Sequence, residues 1–389
     1  MTVRGSSAGV SGRLVLDSAV VPGTITIEDG VIAAIEEQPD RPRGDDADLP
    51  FVAPGFVDVH VHGWGGHDAM GGVEALDGMA RALLRRGVTS FLPGGVTSPL
   101  AELVRFAERV RGWLPDAPAD GAEPLGFMLE GPFLAPARKG AHDPTHLRVP
   151  ADVPLAELEP LLDGLRLITI APELPGALEL ITALRARGIA ISMGHSAATL
   201  AEARAGYAAG GTTTTHLFNA MTGVDHRAPG LAVAALTDDT VYAELIADGN
   251  HVDVALWPII TRTKPLDRLL LVSDAIPLAG MGDGRVRIGG LEIEVVGGRV
   301  TVVGTTTLAG SVIALDTAVR NLVRSGVALP AAVAAASRNP AAMLGLTDRG
   351  RLAVGQRADL VELDEQLHVS RVMRSGSWFD VRRIPPRFA

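Results

Sequence analysis

Residues 54–63 read PGFVDVHVHG. Phe56, Val57, Val59 and Val61 give this stretch the apolar, β-branched content of a buried strand. Side chains alternate across a strand, so Asp58, His60 and His62 share one face. Two imidazoles one pleat repeat apart at a strand end can converge on a single divalent cation. The competing reading is a plain strand whose histidines bond only to their neighbours, and the rest of the chain decides between them.

Downstream, strand-like and helix-like stretches alternate. Eight strand candidates follow one another: Phe56–Val61, Val88–Leu92, Leu125–Glu130, Arg166–Ile170, Gly188–Met193, Thr212–His216, Val241–Ile246 and Leu269–Ser273. Amphipathic helical patterns separate them, among them Val73–Arg86, Leu100–Trp113, Gly176–Arg187 and Ala198–Ala209. This repetition predicts an α/β chain with a TIM-like (β/α)8 barrel. An open doubly wound sheet is the rival, but no Gly-rich dinucleotide fingerprint follows the first strand. Leu291–Val303, with its Gly297-Gly298 turn, reads as a hairpin inserted after the eighth strand. Ser311–Ser325 and Pro330–Leu344 read as helices.

Upstream, Arg13–Leu16, Thr24–Ile27 and Val31–Ile35 read as short strands divided by turns at Pro22-Gly23 and Asp29-Gly30. Asp40–Asp48 is charged and reads as a surface connection. Near the other end, Gly355–Leu363 and Val369–Met373 regain strand character. The expected organisation is a small β-sandwich domain from residues 1–53 and 346–389, beside a barrel of residues 54–345.

Composition narrows the partners. The 389 residues carry a formal charge of −10, with a pI near 5.5 and no basic stripe, which argues against nucleic acid. The absence of cysteine excludes disulfides, thiolate metal sites and a cysteine nucleophile. There is no signal-peptide core and no run of about 18 apolar residues, so no membrane partner is expected and the cytoplasm is the expected compartment.

Active sites of such barrels sit where strands end and loops begin. Those positions hold His60 and His62, Glu130, His195, His216, Asp248 with His251, and Asp274. Burying so many ionisable groups unpaired would cost several kcal/mol each by general transfer arguments, of order ~2–7 kcal/mol; a divalent metal removes the difficulty. Related barrel hydrolases often bridge two ions with a carboxylated lysine, yet Lys139 and Lys264, the only lysines, stand at no predicted strand end. Glu130, His195 and His216 are then the candidate ligands of the main ion. Asp274 is placed to take the proton of a water that the metal acidifies.

HVHG, LEGPF, KGAHDP, GHSAA, THLFNAM, DGNHV, SDA and LAGS occur here in the order seen in the N-acetylglucosamine-6-phosphate deacetylase family of the amidohydrolase superfamily. From about Pro54 to Leu344 the chain resembles that family, and GQRADLV resembles the superfamily's returning strand. The resemblance implies metal ligation by Glu130, His195 and His216, and a general base and acid in Asp274. It implies that His142 contacts substrate and polarises the acetamide carbonyl. It also implies that Asn219, Ala220, Arg227, His251 and Leu308 bind the sugar phosphate. A second ion at His60 and His62, bridged by Glu130, is compatible with it; Zn, Fe, Mn and Co all suit such ligands. The implied partners are a phosphorylated amino sugar and a second copy of the chain that completes the active site. His226, Arg227 and His251 supply the basic pocket an acidic protein needs to hold a phosphate. His67, His146 and His368 read as structural. The rivals are a cyclic-amide or imide hydrolase of the same superfamily and a non-catalytic barrel serving as an interaction module.

Overall fold

A computed structural model describes residues 8–38 and 49–381. The strand Phe56–Val61 is buried at every position and begins a curled parallel sheet. It pairs with Val88–Val96, which pairs with Phe127–Glu130; Leu165–Ile170, Ala190–Met193 and Thr213–Thr214 follow in order. Ala243–Leu245 and Leu269–Leu271 form a further parallel pair. Single backbone bonds carry the curl onward: Thr214 N–H donates to the Tyr242 carbonyl (3.1 Å) and Leu217 N–H to the Glu244 carbonyl (2.8 Å). Asp274 N–H reaches the His60 carbonyl (2.8 Å), bringing the eighth strand to the first. The fold is mixed α/β, and its parallel strands direct their C-terminal ends to one side.

Helices pack outside this sheet through apolar stripes. Leu100–Trp113 buries Leu103, Phe106, Ala107, Val110 and Trp113, the three- and four-residue spacing of one helical face. Leu200–Ala208 starts at a capping box in which Thr199 and Glu202 satisfy each other's backbone N–H. The stretch expected as one helix over Pro330–Leu344 is two, Leu329–Ala336 and Arg338–Met343. Ser337 separates them with non-helical backbone angles, its hydroxyl donating to the Val333 carbonyl (2.7 Å).

After the eighth strand comes a three-stranded antiparallel insert, Gly284–Ile288, Leu291–Val296 and Arg299–Val302. The sequence pattern shows only its last two strands. Ile276, Ile293, Val295, Val300 and Ala309 form a separate apolar cluster beneath it.

A second seven-stranded sheet draws on both ends of the described chain. Its order is Ser377–Asp380, Val369–Arg374, Leu360–Leu363, Phe51–Pro54, Ala8–Val15, Val20–Glu28, Val31–Glu37. Val31 bridges to Arg357, and this sheet folds over a core that includes Leu14, Ile25, Ile32, Val52, Leu360 and Met373. Pro22-Gly23 is not a turn here: both residues lie inside Val20–Glu28, opposite Arg13 and Gly12. Arg13 turns its N–H the other way, to the Pro50 carbonyl, so the missing N–H of Pro22 interrupts no bond to that neighbour. The turn lies at Leu16–Ala19. Asp40–Asp48, expected as a surface connection, falls outside the described residues. Gly55 N–H to the Asp359 carbonyl (2.8 Å) and Arg349 Nη1 to Ser90 Oγ (2.9 Å) tie the two sheets together.

Candidate active site

His60, His62, Glu130, His195, His216 and Asp274 stand at the C-terminal ends of the parallel strands, and all are buried. Glu130 is the hub. Its Oε1 lies 2.9 Å from His195 Nε2 and 3.0 Å from His216 Nε2, while its Oε2 lies 3.2 Å from His62 Nε2. Asp274 Oδ1 is 3.4 Å from His62 Nε2 and 3.6 Å from His60 Nε2. Two ligand sets result, Glu130–His195–His216 and His60–His62–Glu130–Asp274, with Glu130 in both.

The donor chemistry of these sets fits a cation. His62 Nδ1 faces the Gly94 carbonyl at 3.0 Å and His195 Nδ1 the Arg138 carbonyl at 2.8 Å. A carbonyl only accepts, so each Nδ1 carries a proton, and in the neutral ring Nε2 is left with its lone pair turned inward. Those lone pairs meet the carboxylate of Glu130 and, for His195, another imidazole nitrogen at 3.1 Å. Acceptors crowded this closely repel unless a positive charge stands among them. The surrounding field agrees. Burial disfavours charge on His60, yet Asp274, Glu130 and Glu244 hold its imidazole well above the ordinary range. Burial opposes ionisation of Glu130, but His142, His195 and His216 hold it well below the usual carboxylate range. A region that stabilises positive charge so strongly suits a divalent ion, with neutral imidazoles and carboxylates as its ligands.

Glycine makes one of these contacts possible. A Cβ on Gly94 would lie 2.8 Å from His62 Nδ1, so only a glycine lets the ring reach that residue's carbonyl. The backbone is strained in the same region. Among the described residues, His195, His216, Phe218, Ala220 and Asp274 are five of the eight non-glycine residues with positive φ. Such conformations cost of order 1–3 kcal/mol each and gather at functional sites.

A cavity of about 360 Å³ opens over the cluster. His62, Glu130, His142, His195, His216, Asn219, Ala220, His251, Asp274 and Leu308 all line it, whereas His60 is buried beneath. His142 Nε2 lies 3.3 Å from Glu130 Oε2, and burial lowers its pKa despite that carboxylate, leaving a neutral ring with an N–H to donate. His251 Nδ1 is held by Asp248 Oδ2 at 2.8 Å; burial opposes ionisation of Asp248, but its bonds to His251 and nearby N–H groups keep it below its ordinary value. Arg227 is not in the lining: it sits with His226 on an exposed loop. The insert contributes Ile288 and Ile293, residues that no strand-end reading reveals. Glu244 was also hidden from the sequence. It is fully buried, 3.0 Å from His60 Nδ1, and its only signal is a carboxylate between apolar neighbours in a buried strand.

Residues 51–379 match the amidohydrolase family. An N-acetylgalactosamine-6-phosphate deacetylase from Escherichia coli O157:H7 is 41% identical over 90% of this chain and 93% of its own length. A human N-acetylglucosamine-6-phosphate deacetylase is also 41% identical, over 84% of this chain and 82% of its own. Among solved structures, an N-acetyl-D-glucosamine-6-phosphate deacetylase variant from Mycobacterium smegmatis, in complex with N-acetyl-D-glucosamine-6-phosphate, superposes with a TM-score of 0.86 at 37% identity. That likeness covers 96% of this chain and 99% of the other. The Thermotoga maritima enzyme gives 0.88 at 33% identity, covering 96% and 100%. The chain belongs to the amidohydrolase family.

Proposed function

We propose that this protein is a metal-dependent deacetylase that hydrolyses N-acetyl-D-glucosamine 6-phosphate to D-glucosamine 6-phosphate and acetate. The observation that carries the reading is the set of inward-facing acceptors on Glu130, His195 and His216, with Asp274 and His142 beside them in one cavity. Relatives at 41% identity that are named as deacetylases of phosphorylated amino sugars support the substrate class. The same reading takes the eight parallel strands as one (β/α)8 barrel of residues 54–345, and the terminal sheet as a β-sandwich domain. It places the enzyme in the cytoplasm as a homodimer; no helix among the described residues is long and apolar enough to cross a membrane.

Glu130, His195 and His216 would hold the main ion, and His60 and His62, with Glu130, a second. Bound there, a divalent ion supplies a Lewis acid that acidifies water and polarises the amide carbonyl. Asp274 takes the proton of the attacking water and delivers it to the leaving amine, since an amide nitrogen leaves only once protonated. Its position is fixed by its own N–H bonded to the His60 carbonyl and by Ser311 N–H donating to its carbonyl (2.7 Å). The neutral His142 donates its N–H to the carbonyl oxygen as negative charge develops there. Asn219, Ala220 and His251 grip the sugar phosphate along the cavity wall, with Leu308 against the sugar. Arg227, exposed on its own subunit, serves the pocket of the neighbour.

The Escherichia coli relative favours a second substrate, the galacto epimer of the same phosphorylated sugar. Steady-state acetate release from N-acetylglucosamine 6-phosphate, its galacto epimer and unphosphorylated N-acetylglucosamine tests the reading. The gluco phosphate is expected to give the highest kcat/KM and the unphosphorylated sugar the lowest. Equal rates with and without the phosphate contradict the substrate; a faster galacto epimer replaces it with the second reading.

A further inference from the structure

Glu244 is the middle residue of the strand Ala243–Leu245 and is fully buried, between Ala243 and Leu245, both also buried. Its Oε2 is shared. It lies 3.0 Å from His60 Nδ1 and accepts the backbone N–H of His216 at 3.2 Å. Its Oε1 accepts the Ser192 hydroxyl at 3.4 Å, and that hydroxyl continues through Thr215 Oγ1 to Thr169 Oγ1 (3.0 Å). Both Glu244 oxygens are already placed as acceptors, so His60 turns its Nδ1–H to Oε2 and presents Nε2 to His62 (3.1 Å), Asp274 and Glu130. His62 and His195 are oriented by neutral backbone carbonyls. His60 is oriented by a charged group, which makes its Nε2 the more basic ligand. The second contact matters because His216 adopts φ +26°, in the left-handed region, and Glu244 pins the N–H of that strained residue.

We infer that Glu244 is a positioning residue: through one carboxylate oxygen it aims His60 at a cation of its own and fastens the backbone of His216 on the other half of the centre. The inference rests on the deacetylase reading for the presence of metal, and goes beyond it by requiring an ion on the His60 side. A buried carboxylate with no cation nearby would bear its desolvation against one imidazole N–H, one amide and a hydroxyl. With a cation on the far side of His60, the carboxylate, imidazole and ion form a chain of alternating charge.

The test titrates zinc into metal-free protein against a competing chelator, with bound ions counted by mass spectrometry. His60→Ala marks the binding step that belongs to the His60 side. Wild type is expected to take up two ions. Glu244→Gln keeps the shape and the accepting oxygen but removes the charge. It is expected to weaken the His60-side step about 10–100-fold, the usual effect of losing such a partner, and to spare the other step. A folded Glu244→Gln with both steps unchanged overturns the inference, as does equal weakening of both, which marks a merely structural carboxylate. A wild type that binds a single zinc ion also overturns it while leaving the deacetylase reading standing; one that binds none overturns both. Nitrogen NMR of zinc-loaded, histidine-labelled wild type needs no variant. His60 is expected to carry its proton on Nδ1, and a proton on Nε2 contradicts the assignment even if Glu244→Gln fails to fold.

Discussion

In the proposed reaction Asp274 concentrates the chemistry in one side chain. It stands 3.4 Å from His62 Nε2, with positive φ, and both its backbone N–H and its carbonyl are engaged. Asp274→Asn preserves size and hydrogen bonding but cannot accept a proton. It is expected to keep substrate binding and the ion assigned to Glu130, His195 and His216 while kcat falls about 10²–10⁴-fold, the usual share of general acid–base catalysis. Near-normal kcat in a metal-loaded variant excludes Asp274 as the proton carrier. Much of this cluster was legible in the sequence. A histidine or carboxylate just past an apolar run marks a strand end, and strand ends of a parallel curl converge. Glu244 was not legible, because it sits mid-strand where the pattern leads one to expect packing. Its partners, His60 and His216, lie 184 and 28 residues away in the chain. Arg227 was legible only through the family resemblance, since an arginine in a polar loop carries no signal of its own.

The helix Leu231–Thr237 shows how an element is held. Lys264 is almost wholly buried and donates its ammonium to the carbonyls of Ala235 (2.8 Å) and Asp238 (2.5 Å), at the end where helix carbonyls lack partners. Burial pushes its pKa down from 10.5 to about 8, against the attraction of Asp238 and Asp239. The folded protein therefore releases this proton near pH 8, while the unfolded chain keeps it until about 10.5. Between those values the unfolded state binds more protons, so this group's contribution to stability rises with pH. Urea unfolding of wild type and Lys264→Met at pH 7, 8, 9 and 10 is expected to show a stability difference that shifts in favour of wild type above pH 8. A difference independent of pH contradicts the depressed lysine. Element by element, the periodic stretches were the readable ones: the strand Phe56–Val61 and the helix Leu100–Trp113 have the same ends in the sequence reading and in the fold. Pro22-Gly23 misled because a proline breaks a strand only where its N–H is needed. The split at Ser337 did leave a signal in the sequence: Pro340 has no N–H for the Ala336 carbonyl, so one helix cannot run unbroken across Pro330–Leu344.

At the scale of the whole molecule, the cavity is lined by His62, Glu130, His195, His216, Asp274, His142 and His251, but Arg227 lies outside it on an exposed loop. The proposed dimer resolves this by lending Arg227 to the neighbouring pocket. Removing an arginine from a desolvated phosphate is expected to cost on the order of 2–5 kcal/mol, seen in kcat/KM for the phosphorylated sugar. Inactive Arg227→Ala and inactive Asp274→Asn chains, mixed and allowed to exchange, are then expected to recover activity. One site of each mixed dimer carries both defects and the other carries neither. No recovery in demonstrated mixed dimers returns Arg227 to its own subunit. Removing the metal tests most directly whether the acceptors converging on Glu130 serve a catalytic ion. The protein is stripped with a chelator and its metal content verified as absent. Acetate release from N-acetylglucosamine 6-phosphate is then measured before and after a divalent ion is returned. The stripped protein is expected to show no turnover, restored on addition of zinc, iron, manganese or cobalt; full turnover by the verified metal-free protein contradicts a metal-dependent deacetylase.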